Sequence, residues 1–315
     1  MIDLDALASL RAVEQQGSVV AAASALGFTP SAISQQIKRL ERQAGVALLE
    51  RVGRGVVLTQ EGRQLVERGA RLLDDLEEIE SGLHRRAGTV TGTIRLVAFA
   101  TALRGLVAPS LPALLREHPE LQVRLLERDP WEAVELVATG QSDVGIVHSW
   151  GDVPLAIPDH LVVHSLVHDV ADVLVPADHR LAGRARVSPR DLVGEGWIAT
   201  PEGTICREWL MRMHDGTGGL PDIVHRSGQF ETHIALVRAG LGIALVPRLG
   251  RAALPDGVVA VAVHDPEPRR EISVLARRTM SESPAVTAAI DAVRAWSRES
   301  ARPVSRRRAV RVGAR

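Results

Sequence analysis

The chain has 315 residues, 45% hydrophobic and 24% charged, and its acids and bases are equal in number, so the formal net charge is zero. That length suits two or three globular domains, and the balance alone points to no polyanionic partner. Aromatic residues make up 3%, with no tyrosine, which argues against stacking platforms for single-stranded nucleic acid; a lone cysteine, Cys206, excludes an intrachain disulfide framework and any multi-cysteine zinc site.

The N-terminus, MIDLDALASL, is acidic and lacks the basic region of a signal peptide. No apolar run approaches the roughly 18–20 residues of a membrane span, and the expected location is the cytoplasm of a bacterial cell. Charge is unevenly spread: residues 301–315 hold six arginines and no acid, residues 1–59 sum to +1, and the stretch between sums to −7. The basic tail is expected to be disordered.

Residues 4–16 read as a helix, with Leu4, Leu7, Leu10 and Val13 at three-residue steps and Gly17 closing it. Ser18 caps a second helix, VVAAASAL, and Gly27 stops it. Thr29 caps a third, with Pro30 at the first helical position, where its missing N–H does no harm. In this third helix Ile33, Ile37, Leu40 and Ala44 form one apolar stripe. The opposite face carries Ser31, Ser34, Gln35 and Lys38, followed by Arg39 and Arg42. Hydroxyls and an amide reach base edges, and cations neutralise phosphates. Leu48 to Val52 and Val56 to Leu58 are β-prone runs around Gly53-Arg54-Gly55, a hairpin with a basic tip. Three helices and this hairpin predict a winged helix-turn-helix; an ordinary small helical bundle is the bland alternative.

Thr59 caps a long helix to about Arg86. Leu65, Gly69, Leu72, Leu76, Ile79 and Leu83 recur at steps of four and three, the seam of a coiled coil. A partner chain is the simplest cover for that seam, and a dimer presents two recognition helices to a symmetric site. Packing onto its own domain is the alternative.

At residues 87–89 the pattern changes to alternating strands and helices, which predicts an α/β region with a largely parallel sheet. TIRLVAFA, LQVRLLERD and SDVGIVHS read as strands of a first lobe; LVVHSLV, ADVLVPA and WIATPEG read as strands of a second, as does IVHRSGQF; EISVLARR and a terminal helix SPAVTAAIDAVRAWSRES complete the set. The expected division is a DNA-binding domain at 1–59, a linker helix at 60–87 and a two-lobed α/β region at 88–300, with lobe I at 92–162 and 268–300, lobe II at 163–267, and the tail at 301–315.

The segments GSVVAAASALGFTPSAISQQIKRLE, GVALLERVGRGVVLTQEG, GQSDVGIV and VRAGLGIALVP, in this order and spacing, resemble the LysR-type transcriptional regulators over about residues 2–300. The resemblance implies a multidomain fold: a helix-rich winged helix-turn-helix, a coiled-coil linker and a two-lobed α/β effector domain resembling periplasmic binding proteins. It implies double-stranded operator DNA and a small-molecule effector as partners, a homodimer or homotetramer, and RNA polymerase as a candidate further partner. By matching, Thr101, the loop Asp129-Pro130-Trp131, His148 to Trp150, Thr204, and Phe230 with Glu231 would face an effector cleft. Pro130 stands where relatives carry a ligand-binding hydroxyl. Pro30-Ser31-Ala32 replaces the family's Gln-Pro-Ala, removing one base-reading glutamine, so operator sequence does not transfer from relatives. Ser31, Ser34 and Gln35 are assigned to base edges, and Lys38, Arg39 and Arg54 to phosphates or the minor groove.

His160, His164 and His168 recur at four-residue steps, but their β-branched context reads as strand, where four residues span about 13 Å, too far for shared metal ligation. No nucleophile motif, Walker loop or dinucleotide fingerprint is present, so neither catalytic residue, metal nor cofactor is assigned. Cys206, near a helix start, is weighed as a thiol of lowered pKa and a redox switch, against a simple structural role. The reading is a ligand-responsive transcriptional regulator. An effector-independent DNA-architectural protein is the alternative, and an enzyme built on the α/β lobes a more distant one.

Overall fold

The computed structural model describes residues 2–300 apart from 54, 88, 152 and 154, and leaves aside the side chains of 25, 74, 77, 78, 80–87 and 300. Arg54, the side chain of Leu83 and the basic tail therefore lie outside the described residues.

Helix α1, Leu4–Gln16, starts at Asp3, whose side chain accepts from the Asp5 and Ala6 N–H groups. Helix α2, Val19–Leu26, starts at Ser18, whose hydroxyl accepts the Ala21 N–H at 3.1 Å. It ends at Gly27 with φ 72°, a left-handed geometry a side chain resists. Helix α3, Pro30–Ala44, begins where Thr29 Oγ1 accepts the Ala32 N–H at 3.2 Å. Ile33, Ile37 and Leu40 are buried against Ala6, Leu10, Val13, Ala22 and Ala23, and each such side chain contributes about 1.5–3 kcal/mol. Strands β1, Leu49–Val52, and β2, Gly55–Leu58, pair antiparallel from Leu49↔Leu58 to Val52↔Gly55 and make the wing. Glu41 fixes the wing to α3, its carboxylate accepting the Leu48 and Leu49 N–H groups at 2.9 and 3.3 Å.

Helix α4, Gln60–Ala87, is capped by Thr59, whose Oγ1 accepts the Gly62 N–H at 3.0 Å. Its expected seam divides. Val66 joins the core of the first domain, Leu65 packs against it, and Gly69 lies so close to α1 that an added Cβ would sit 2.6 Å from Leu7 Cδ2. Leu72, Leu76 and Ile79, by contrast, are 52%, 37% and 60% exposed. The start of the seam thus serves the domain itself, and the next three positions stand uncovered in the single chain.

The α/β region opens with β3, Gly92–Ala98, followed by a helical run of α5, Ala100–Ala102, a π turn, Leu103–Val107, and α6, Ala108–Glu117. Next come β4, Leu121–Glu127; α7, Pro130–Ala138; β5, Val144–Trp150; and β6, Leu161–Pro176. The second lobe adds β7, Arg186–Val187; a 3-10 turn, Pro189–Leu192; β8, Gly196–Ala199; α8, Ile205–Met213; and β9, Asp222–Arg226. It continues with α9, Phe230–Arg238; β10, Ala244–Pro247; and β11, Val258–Val263, a strand the sequence reading leaves unassigned. The chain then forms β12, Arg269–Arg277, and α10, Pro284–Ser300.

The expected largely parallel sheet is in fact mixed. Strands run in the order β4-β3-β5-β12-β6-β11-β7, with β10 also on β6 and β8-β9 as a separate pair. β4, β3 and β5 are parallel, but β12 is antiparallel to both β5 and β6. The cause is the return crossing: the chain enters the second lobe through β6 and comes back through β12. β6 is also one strand, not the two expected, and it runs through the expected lobe boundary at 162/163. Its residues 161–170 pair with β12, and 171–176 pair with β10 and β11. The first domain touches lobe I through Gln141, whose amide lies 3.3 Å from Gln15 and 3.4 Å from Gln16. Among the described residues no helix is long and apolar enough to cross a membrane.

Candidate nucleic-acid interface and interlobe cleft

The burial of Ile33, Ile37 and Leu40 turns the other face of α3 outward. Ser31, Gln35, Lys38 and Arg42 are exposed, and Ser34 is half-buried. Arg39 is exposed too, but its guanidinium forms an ion pair with Asp3 at the start of α1. A phosphate would have to compete with that carboxylate for Arg39, whereas Lys38 faces solvent. Gln36, between the two faces, accepts a hydrogen bond from Ser9 at 2.6 Å and belongs to the packing of α3 on α1.

A cavity of about 310 Å³ opens between the lobes, at the low end of small-molecule pockets. Thr101, Asp129, His148, Thr204 and Phe230 all line it. Glu231 does not; it pairs with Arg104 at 2.8 Å, and Arg104 also donates to the Gly250 carbonyl. Phe230 begins α9 here, where the sequence suggested the end of a strand. One more polar contact bridges the lobes: Gln229 donates to Glu127 Oε1 at 3.2 Å.

The centre of the cleft is an arginine that sequence reasoning missed. Arg270 is 1% exposed and lines the cavity. Its Nε and Nη2 donate to Asp169 Oδ2 at 3.0 and 2.8 Å, and Nη2 also donates to Thr101 Oγ1 at 2.8 Å. The guanidinium lies 5.1 Å from the Phe99 ring centroid and 5.6 Å from that of Trp150. A signal was available. In RREISVLA, residues 270, 272 and 274 share one face of the strand, and Ile272 and Val274 are core, so an arginine in their register must be buried and paired.

Electrostatics follow from burial. His148 stands with its ring edge-on to Phe99, centroids 4.5 Å apart, and its pKa is held well below the ordinary value by burial and then by Arg270; it is neutral. Asp129 is pushed up to about 6, first by burial and then by the neighbouring Glu132. Cys206 lies 3.9 Å from His148 Nε2, and burial pushes its thiol up to about 11. The lowered thiol pKa weighed from the sequence is thus reversed: desolvation at this helix start outweighs the helix terminus and Arg270. His164 and His168 lie on β6 as read, and no metal-binding cluster occurs among the described residues.

The arrangement of a reading helix with a two-lobed cleft has close counterparts. The family model described as "Bacterial regulatory helix-turn-helix protein, lysR family" matches residues 4–63, and that described as "LysR substrate binding domain" matches residues 87–298. The uncharacterised HTH-type transcriptional regulator YfeR of Shigella flexneri is 30% identical over 283 residues, covering 90% of each chain. The DNA-binding transcriptional dual regulator OxyR of Escherichia coli K12 is 28% identical over 267 residues, covering 81% of this chain and 83% of that one. Among solved structures, a full-length OxyR variant from Pseudomonas aeruginosa superimposes with a TM-score of 0.70 at 21% identity, covering 93% and 95% of the two chains. HinK, a LysR family regulator from the same organism, gives 0.57 at 22% identity, covering 94% and 98%. This chain belongs to the LysR family and is a ligand-responsive, DNA-binding transcriptional regulator.

Proposed function

We propose that residues 1–59 read an interrupted palindrome as one of two paired heads, that 60–87 link the heads, and that 88–300 sense a small molecule held between the lobes. Ser31, Ser34 and Gln35 contact base edges; Lys38, Arg39 and Arg54 contact phosphates or the minor groove. Thr101, Asp129, His148, Thr204 and Phe230 surround the effector, and Glu231 closes the mouth of the cleft through Arg104. The observation that carries this reading is the cleft itself, which gathers side chains of both lobes around one cavity. A ligand touching both walls favours one lobe geometry over another, and its differential affinity for the two is what shifts the population. Gln141 joins the head to lobe I, so a change in lobe geometry reaches the head within one chain.

The chain works as a homodimer or homotetramer, because Leu72, Leu76 and Ile79 need a cover. It acts in the cytoplasm, where operator DNA lies, with RNA polymerase as a candidate contact, and without turnover of the effector. Genome-wide mapping of its bound sites tests the reading. Discrete sites with a two-fold symmetric motif support it; even coverage of the chromosome would favour an architectural role, and turnover of a bound metabolite would favour an enzyme.

A further inference from the structure

Three buried polar atoms of residues lining the cleft have no partner: His148 Nδ1, on a neutral ring, and two of opposite kinds on charged groups. Arg270 Nη1 is a donor with nothing to donate to, while the rest of its guanidinium is engaged by Asp169 and Thr101. Asp129 Oδ1 is an acceptor with no donor. Both residues line the same cavity, as does Cys206, and both act electrostatically on its thiol. Buried polar atoms of this kind are paired in nearly all native structures, and an orphan marks a missing partner.

The charges narrow what that partner is. Arg270 is balanced by Asp169, whereas the first charged neighbour of Asp129 is another acid, Glu132. A plain anion would satisfy Arg270 Nη1 but add negative charge near Asp129. A plain cation would balance Asp129 but leave Nη1 unmet. A molecule bearing both groups satisfies both. Helices α7, α8 and α9 also begin at the cavity, through Asp129, Thr204 and Phe230, and α9 has no side-chain cap, so their N–H dipoles add to the attraction for a carboxylate.

We propose that the cleft takes a small zwitterion of the amino-acid type, its carboxylate on Arg270 Nη1 and its ammonium on Asp129 Oδ1. This rests on reading the cleft as the effector site. The cavity volume of about 310 Å³ keeps the molecule small, and Phe99 and Phe230 supply an apolar wall for its side chain.

The test is thermal denaturation of the full chain at neutral pH and fixed ionic strength. Each proteinogenic L-amino acid is added at millimolar concentration beside its desamino acid and its decarboxylated amine. At least one amino acid is expected to raise Tm, with both truncated partners binding roughly tenfold or more weakly, since each loses one charge-assisted contact. Asp129→Asn should then weaken the amino acid relative to the desamino acid, and Arg270→Lys should weaken both acids relative to the amine. The three-way comparison on the unaltered chain stands even if Arg270→Lys fails to fold. A desamino acid that matches the amino acid would make this a simple anion site and overturn the proposal, as would no amino acid shifting Tm. Operator binding measured on the same samples separates the two readings. A chain that binds its operator yet ignores amino acids loses only this inference; one that binds no operator loses the regulator reading, and any amino-acid shift stands.

Discussion

Arg104 Nη2 of lobe I and Glu231 Oε1 of lobe II meet at 2.8 Å between the lobes, with side chains 35% and 52% exposed. Ion pairs so open to water contribute about 0–1 kcal/mol. Glu231→Gln should therefore leave global stability within that range, and its effect should vanish in high salt, where the screening length falls to about 3 Å. Its consequence lies in the lobes: losing a contact that only the bridged geometry makes shifts the balance toward open lobes and weakens effector binding. Isothermal titration with any responsive ligand checks this, and unchanged affinity at low salt would rule out a latch.

The face of α3 gives two separable outcomes. Lys38→Ala should weaken binding to all sequences alike and flatten the salt dependence by about 0.9 in log–log slope, one phosphate contact. Gln35→Ala should cost roughly 1–3 kcal/mol at particular base pairs and leave the slope alone. Titrations on operator and scrambled DNA across a salt series read both. Arg39 is expected to give less than Lys38, because its pairing with Asp3 must first be broken.

On α4, Leu76→Glu places a charge in the middle of the uncovered positions Leu72, Leu76 and Ile79 while touching no core residue of the first domain. If a second chain covers that stripe, the variant should dissociate on dilution and lose operator affinity, with its helical content kept. Sedimentation velocity decides the point; an unchanged oligomer would mean that other surfaces hold the chains together. Gly69→Leu makes the contrast, since it strikes Leu7 inside the chain and should lower Tm instead.

Legibility from sequence followed the range of the interactions involved. The helix-turn-helix was readable almost residue by residue, because Ser18, Gly27, Thr29 and Pro30 act on the backbone within one turn. The seam is readable as a pattern but not as a contact: periodicity cannot tell that Gly69 meets Leu7 while Leu72 and Ile79 are left more than half exposed. β6 was split in two because His168 and Asp169 interrupt its apolar run. Asp169 is tolerated there because Arg270, about a hundred residues away in sequence, pairs with Oδ2 while the Leu249 N–H donates to Oδ1. Glu231, expected at the cleft wall, pairs with Arg104 of the other lobe, a partner that no local pattern announces. Long-range charge pairing, more than local conformation, is what a single sequence hides.

Asp129 makes stability depend on pH in a defined direction. Its folded pKa, about 6, lies above the ordinary 3.8, so the folded state binds the proton more tightly than the unfolded chain. The penalty for holding it ionised is present in full above about pH 6 and is relieved as pH falls toward 4. Asp129→Asn should stabilise the protein at pH 7.5 by on the order of 1 kcal/mol after solvent screening, and give no advantage near pH 4. The difference between the two Tm curves isolates this group from the other acids. A difference that stays flat with pH would mean that Asp129 titrates normally.

Cys206 is expected to be a quiet thiol. With its pKa pushed up to about 11, roughly one molecule in ten thousand carries the thiolate at neutral pH, and the neutral His148 beside it offers no positive charge to increase that share. Alkylation by iodoacetamide should be far slower in the native protein than in denaturant, where the pKa returns to its usual range. Millimolar peroxide should leave operator binding unchanged over the time in which a free thiolate would oxidise. Native alkylation as fast as in denaturant, or loss of binding on brief peroxide exposure followed by recovery with dithiothreitol, would show that the cleft activates the sulfur, and Cys206 would then be a sensor instead of part of the wall.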